Sequence, residues 1–148
     1  MAAAATGRLL DPRVHAHGPS IAKMTEYQAG VCNIGPAEIA RRRQAGHIGA
    51  AASALLLTVL AVTHAPRWSR LLVAVPAAVS ASGYLQARSH FCAGFGSRGV
   101  FNFGPLGEIE NVQDPGARAL DATRARQIGL QSTAIGIGVA AVAVALPG

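Results

Sequence analysis

Four of the thiol and imidazole side chains in this sequence flank one apolar hairpin and could ligate a metal or, as a thiol pair, exchange electrons: Cys32, His47, His90 and Cys92. Thiolate and imidazole are the ligands of zinc and copper sites. His90-Phe91-Cys92 supplies two of these groups two residues apart. Cys32 and Cys92 also make a candidate thiol pair, with nearby arginines able to lower a thiol pKa. The bland alternative is structural. Two Cys and two His lack the short paired spacing of a zinc finger, and cysteine is common inside proteins as a small apolar residue.

The elements that must bring these residues together are written in the charge pattern. The chain has 148 residues, of which 51% are hydrophobic and 14% charged, with a mean hydropathy of +0.32. A soluble domain carries about 25% charge. Three stretches hold no Asp, Glu, Lys or Arg: Gln44 to Pro66, Leu71 to Ala87 and Gln127 to Gly148. A helix needs about 20 apolar residues to cross a bilayer. The sequence therefore predicts an all-α membrane protein, a transmembrane helical hairpin plus a third transmembrane helix, with spans at 44–63, 69–88 and 127–146. A soluble buried hairpin is disfavoured, because the intervening charges are too few to cover three such helices.

Residues 1–23 read as a disordered leader. They hold no apolar run long enough for a secretory signal, with an organelle transit peptide or a start at Met24 as alternatives. Residues 24–148 form one helical membrane domain. Gly35-Pro36 is a helix start, and Glu38 and Arg42 stand four apart in the favourable order. Pro66 and Trp68 mark an interfacial turn. Pro76 falls inside the second span as a kink. The Gly94-Phe95-Gly96-Ser97-Arg98-Gly99 run is expected to be a flexible loop.

Lys23, Arg41, Arg42 and Arg43 precede the first span, and Arg88, Arg98, Arg118, Arg124 and Arg126 lie between the second and third. The turn between the first two spans holds only Arg67 and Arg70. The positive-inside rule puts the N-terminus and the long second loop in the cytoplasm. The hairpin then gathers Cys32, His47, His90 and Cys92 on that face. Net charge is +6, and the arginines flank apolar spans with no interleaved aromatic stripe, so lipid headgroups fit them better than nucleic acid. Arg41, Arg42 and Arg43 are the headgroup candidates.

Small residues recur every four positions. Ala74, Ala78 and Ser82 line the second span, Ser132, Gly136 and Ala140 the third, and Gly49 and Ser53 the first. In lipid such faces allow close helix packing. Asn33-Ile34-Gly35-Pro36 is echoed by Asn102-Phe103-Gly104-Pro105, two Gly-Pro turns or a matched pair of loops on one membrane face. No P-loop, dinucleotide fingerprint or HExxH is present, and no acid lies within a predicted span, which argues against a proton relay.

Asn33-Ile34-Gly35, Glu38, Arg42 and Gly46 ahead of a two-span hairpin, with Cys92 and Gly99-Val100 after it, resemble the YgaP-like transmembrane family over about Cys32 to Phe103. The resemblance implies a bacterial inner-membrane hairpin that associates with itself. Some members carry a rhodanese domain, and these 148 residues hold none, so sulfur chemistry does not carry over. Cys32, the His-Phe-Cys segment and the third span depart from the pattern.

The expectation is a non-enzymatic protein of the cell membrane (an organelle membrane in a eukaryote), with no cofactor, no soluble substrate and no nucleic acid. Its partners are the lipid bilayer and either further copies of itself or a larger membrane complex. The alternative is a cytoplasm-facing thiol or metal module built on Cys32, His90 and Cys92.

Overall fold

Gly35 and Pro36 open the first helix as their types require. Gly35 is extended at the N-cap, and Pro36 takes the first helical position, where its missing N–H would have had no partner. Helix α1 then runs Pro36–Val62. In this computed structural model the described residues are 26–147, and the expected leader at 1–23 lies outside them.

After the turn at Thr63 to Pro66 the chain winds as a 3-10 helix, Arg67–Val73, and only then as α2, Ala74–Ser89. Pro76 explains the boundary. A proline inside a helix displaces the carbonyl four residues back, which here belongs to Leu72, within the 3-10 segment. Pro76 thus sits in the first turn of an α-helix, where it is tolerated. Within the stretch expected at 69–88, the chain is thus a 3-10 segment followed by an α-helix. Helix α2 ends at His90, which is left-handed at φ 52°.

A short α3 follows, Ala93–Arg98, ending on the left-handed Gly99. The expected flexible loop at Gly94 to Gly99 is therefore a helical turn. It packs on the last helix, with Gly96 so close to the Phe91 ring and the Asp121 carbonyl that a Cβ would collide with both. β1, Val100–Phe101, pairs antiparallel with β2, Glu110–Asn111. Helix α4 runs Pro115–Ala145. It starts well before the expected span at 127, because Asp114 caps it: its Oδ2 accepts from the Ala117 N–H at 2.7 Å.

Helix α2 is the middle of three. It packs on α1 along one side and on α4 along the other. The α1–α2 seam is made of Gly46, Gly49, Ser80 and Gly83. A Cβ on Gly83 would lie 2.7 Å from the Arg42 carbonyl oxygen, and Ser80 Oγ donates to the Gly46 carbonyl at 2.9 Å. The buried stripe of α4 is Asp121, Ala125, Ile128, Ser132, Gly136, Ala140 and Ala143, steps of three and four that trace one face.

Large apolar side chains point the other way. Ile48, Leu55, Val75, Leu130 and Ile137 are all more than half exposed. Helices α1 and α4 are long and apolar enough to cross a membrane, yet only 11% and 28% of their apolar windows are buried within the chain.

Candidate functional site

The best-organised polar region lies where α1 begins, α2 ends and α4 begins. Asn33 is its pivot. Fully buried, it uses both ends of its amide on the backbone of Cys92: Nδ2 donates to the Cys92 carbonyl at 3.1 Å, and Oδ1 accepts the Cys92 N–H at 2.6 Å. The backbone N–H groups of Asn33 and Ile34 both donate to the His90 carbonyl. Ile34 forms an isolated parallel bridge with Asn102, so the two echoed segments lie side by side. They are not equivalent. Gly35-Pro36 opens a helix, whereas Asn102 folds back on its own turn, accepting from the Gly104 N–H and donating to the Pro105 carbonyl.

Glu38, in the first turn of α1, is 2% exposed and lies 3.5 Å from Arg42 and 3.8 Å from Arg41. Arg42 also lies over the Phe95 ring, as does Arg98. Asp121 is fully buried on α4. It accepts from Tyr27 Oη at 2.9 Å and from the Gly30 N–H at 2.7 Å, which fastens the segment ahead of α1 to the start of α4. Burial together with the Asp121 carboxylate pushes the Tyr27 hydroxyl pKa well above its usual value. At the other end of the bundle Arg70 Nη1 donates to the Ala143 and Leu146 carbonyls, satisfying the C-terminus of α4.

The sequence-predicted ligands fall into separate roles. Cys32 and Cys92 are both buried and free. Cys92 Sγ accepts from the Phe95 N–H at 3.4 Å as the cap of α3, and Cys32 Sγ sits 3.9 Å from the Ile34 carbonyl. Burial raises the Cys32 thiol pKa, against the lowering expected from nearby arginines. His47 is exposed and pairs with Tyr84 Oη at 2.6 Å through Nδ1. His90 serves through its backbone. Among the described residues no three His, Cys, Asp or Glu side chains converge on a metal position. The set Cys32, His47, His90 and Cys92 is thus not assembled as one site.

The packing candidates divide similarly. Ser132, Gly136 and Ala140 are buried on the α4 stripe. A Cβ on Gly136 would lie 2.7 Å from that of Ala78 and against the Ala74 carbonyl. These small residues join helices of the same chain. Ser82 lies apart from them, with its hydroxyl accepting from Gln86 Nε2 at 2.8 Å. Of the three headgroup candidates, Arg41 and Arg43 are exposed while Arg42 is half-buried beside Glu38.

Sequence reasoning missed Asp121, Arg70 and the reciprocal Asn33–Cys92 pair. The Asp114-Pro115 dipeptide could have placed the start of α4, and so put Asp121 on its second turn. No protein-family model, curated protein or solved structure matches this chain.

Proposed function

We propose that this chain is a non-enzymatic integral membrane protein that crosses the bilayer three times. It works by associating there, with copies of itself or as an accessory subunit of a larger membrane complex. The observation that carries this reading is the inverted radial distribution of side chains. Gly, Ala and Ser dominate the seams between helices, where Val73 and Ile128 are the large exceptions, while most Leu, Ile and Val of the helices face outward. A water-soluble domain buries its large apolar residues. A bilayer removes that drive and leaves close packing of small residues to hold helices together.

Length supports the middle crossing. Sixteen α-helical residues rise about 24 Å and seven 3-10 residues about 14 Å. The part between Arg70 and Arg88, about 27 Å by the same rises, comes close to the hydrocarbon thickness of about 30 Å. The arginine-rich end, with Arg41, Arg43, Arg88 and Arg126, is the cytoplasmic one by charge, and Arg67, Arg70 and Trp68 lie at the opposite interface. On this reading the chain is a YgaP-like hairpin of the bacterial inner membrane extended by α4, a reading that rests on the sequence resemblance. Buried thiols occupied in capping and packing favour a structural role over a thiol or metal module.

The test is native mass after purification from the protein's own membrane in mild detergent. The expected result is an assembly well above the 15.1 kDa of one chain. A single chain plus its detergent micelle refutes association. Because Gly136 is spent inside the chain, association is probed by outward substitutions such as Leu55→Arg and Ile137→Arg.

A further inference from the structure

Two pockets lie end to end along the face shared by α2 and α4. The first, about 280 Å³, is at the arginine-rich end and is lined by Leu85, Arg88, Ser89, Arg124, Ile128 and Gln131. The second is an apolar cleft of about 530 Å³ that α1 also walls with Ala50, Ala54 and Leu57, and in which Ala81, Leu85, Ile135 and Val139 continue the same line. Leu85 belongs to both.

Arg124 is the unusual member. Its Nε is buried and has no hydrogen-bond partner among the described residues, although Nη1 reaches Gln127 Oε1 at 3.2 Å. A buried cationic donor without a partner is destabilising, so such a group marks a place for an acceptor. Arg42 also has an unpartnered buried Nε, but Glu38 stands beside it as a counter-ion. Among the described residues Arg124 has no such neighbour: no carboxylate lines its pocket, and the oxygens of Asp121, one turn back, each accept from elsewhere, Tyr27 and Gly30.

We propose that this face holds one anionic phospholipid, its phosphate on Arg88 and Arg124 and an acyl chain in the cleft lined by Ala81, Leu85, Ile135 and Val139. Charge and length both select that occupant. Two guanidinium groups at headgroup depth complement a phosphate diester. From Ile128 to Val139 the helix rises about 16 Å, close to the roughly 15 Å hydrocarbon depth of one leaflet. A zwitterionic lipid would bring a quaternary ammonium to an already cationic pocket. The inference rests on the membrane reading above.

Native mass spectrometry of the full chain, after exchange into phosphatidylglycerol or phosphatidylcholine of identical acyl chains, is the test. One phosphatidylglycerol is expected to remain bound, favoured roughly tenfold or more over phosphatidylcholine. In the double variant Arg88→Gln, Arg124→Gln that preference should vanish, while Arg41→Gln should keep it. Gly138→Phe supplies a second readout. A Cβ there meets nothing within 4 Å, and Gly138 lines the apolar continuation of the cleft with Ile135 and Val139. It should weaken dioleoyl against dilauroyl phosphatidylglycerol, a chain-length effect that misfolding does not imitate. Equal retention of both headgroups, or retention of phosphatidylglycerol by the double variant, overturns the proposal. So does an Arg41→Gln loss as large as that of the double variant. A chain released from membranes by alkaline carbonate overturns the membrane reading itself, whereas an inserted chain without headgroup preference refutes the lipid site alone.

Discussion

The helical stack and the polar cap at its arginine-rich end are held by opposite means. In the stack, Gly46, Gly49, Gly83 and Gly136 bring backbones together by having almost no side chain. In the cap, Asn33, Glu38, Asn102 and Asp121 are buried polar groups, with their hydrogen bonds and ion pairs aimed at irregular backbone and neighbouring side chains. The stack should tolerate losing a large outward side chain and fail when one is added at a seam. The cap should do the reverse, failing when a particular polar atom is removed.

The largest effect should come from adding bulk to the stack. Gly83→Leu drives a side chain into the backbone of α1, and should cost roughly 3 kcal/mol or more. A detergent-solubilised variant is expected to lose its cooperative thermal transition. Next comes subtraction from the cap. Asn33→Ala leaves the Cys92 N–H buried and unpaired and removes one of the two bonds to the Cys92 carbonyl, which keeps the Gly96 N–H, for about 2–4 kcal/mol, read as a lowered melting temperature. Asp121→Ala should be more local, at about 1.5–3 kcal/mol. Its signature is faster hydrogen exchange at residues 27–32 with α1 and α2 still protected. If exchange rises equally everywhere, stack and cap are one cooperative unit and the contrast fails.

Two groups of the cap carry a pH response. Folding raises the pKa of both the Tyr27 hydroxyl and the Cys32 thiol. The unfolded groups therefore lose protons first, at about 8.5 for the thiol and about 10 for the phenol. The stability they contribute is complete below those values and falls as pH rises above them. Maleimide labelling of Cys32 at pH 8 should be at least about tenfold slower in the folded protein than in denaturant; equal rates would show the segment ahead of α1 to be undocked. The smallest effect is expected on the outer face. Leu55 is 67% exposed, and Leu55→Ala in detergent should change stability by no more than about 0.5 kcal/mol.

The same contrast explains how far the sequence could be read. What repeats along a helix leaves a periodic trace, so the apolar stretches, the Gly35-Pro36 start, the turn before Pro66 and the Ser132, Gly136, Ala140 stripe were all legible. The 3-10 segment was harder, since it follows from where Pro76 falls relative to the turn and not from any apolar period. The cap leaves almost no local trace. Asn33 meets Cys92 across 59 residues and Tyr27 meets Asp121 across 94, and neither spacing is encoded in a motif. The thiols and imidazoles drew notice by their chemistry, yet they act by capping a short helix, pairing with Tyr84 and shaping a left-handed turn.

The Tyr27–Asp121 bond also sets an order in time. A ribosome releases the segment ahead of α1 first, but its anchor on α4 emerges nearly a hundred residues later. Through most of synthesis Tyr27 and the Gly30 N–H face solvent without their partner, and no arrangement of α1 and α2 alone can supply it. Docking of that segment therefore reports that the last helix has arrived and is correctly seated. A nascent chain stalled before Asp121 is therefore expected to display its N-terminal segment undocked.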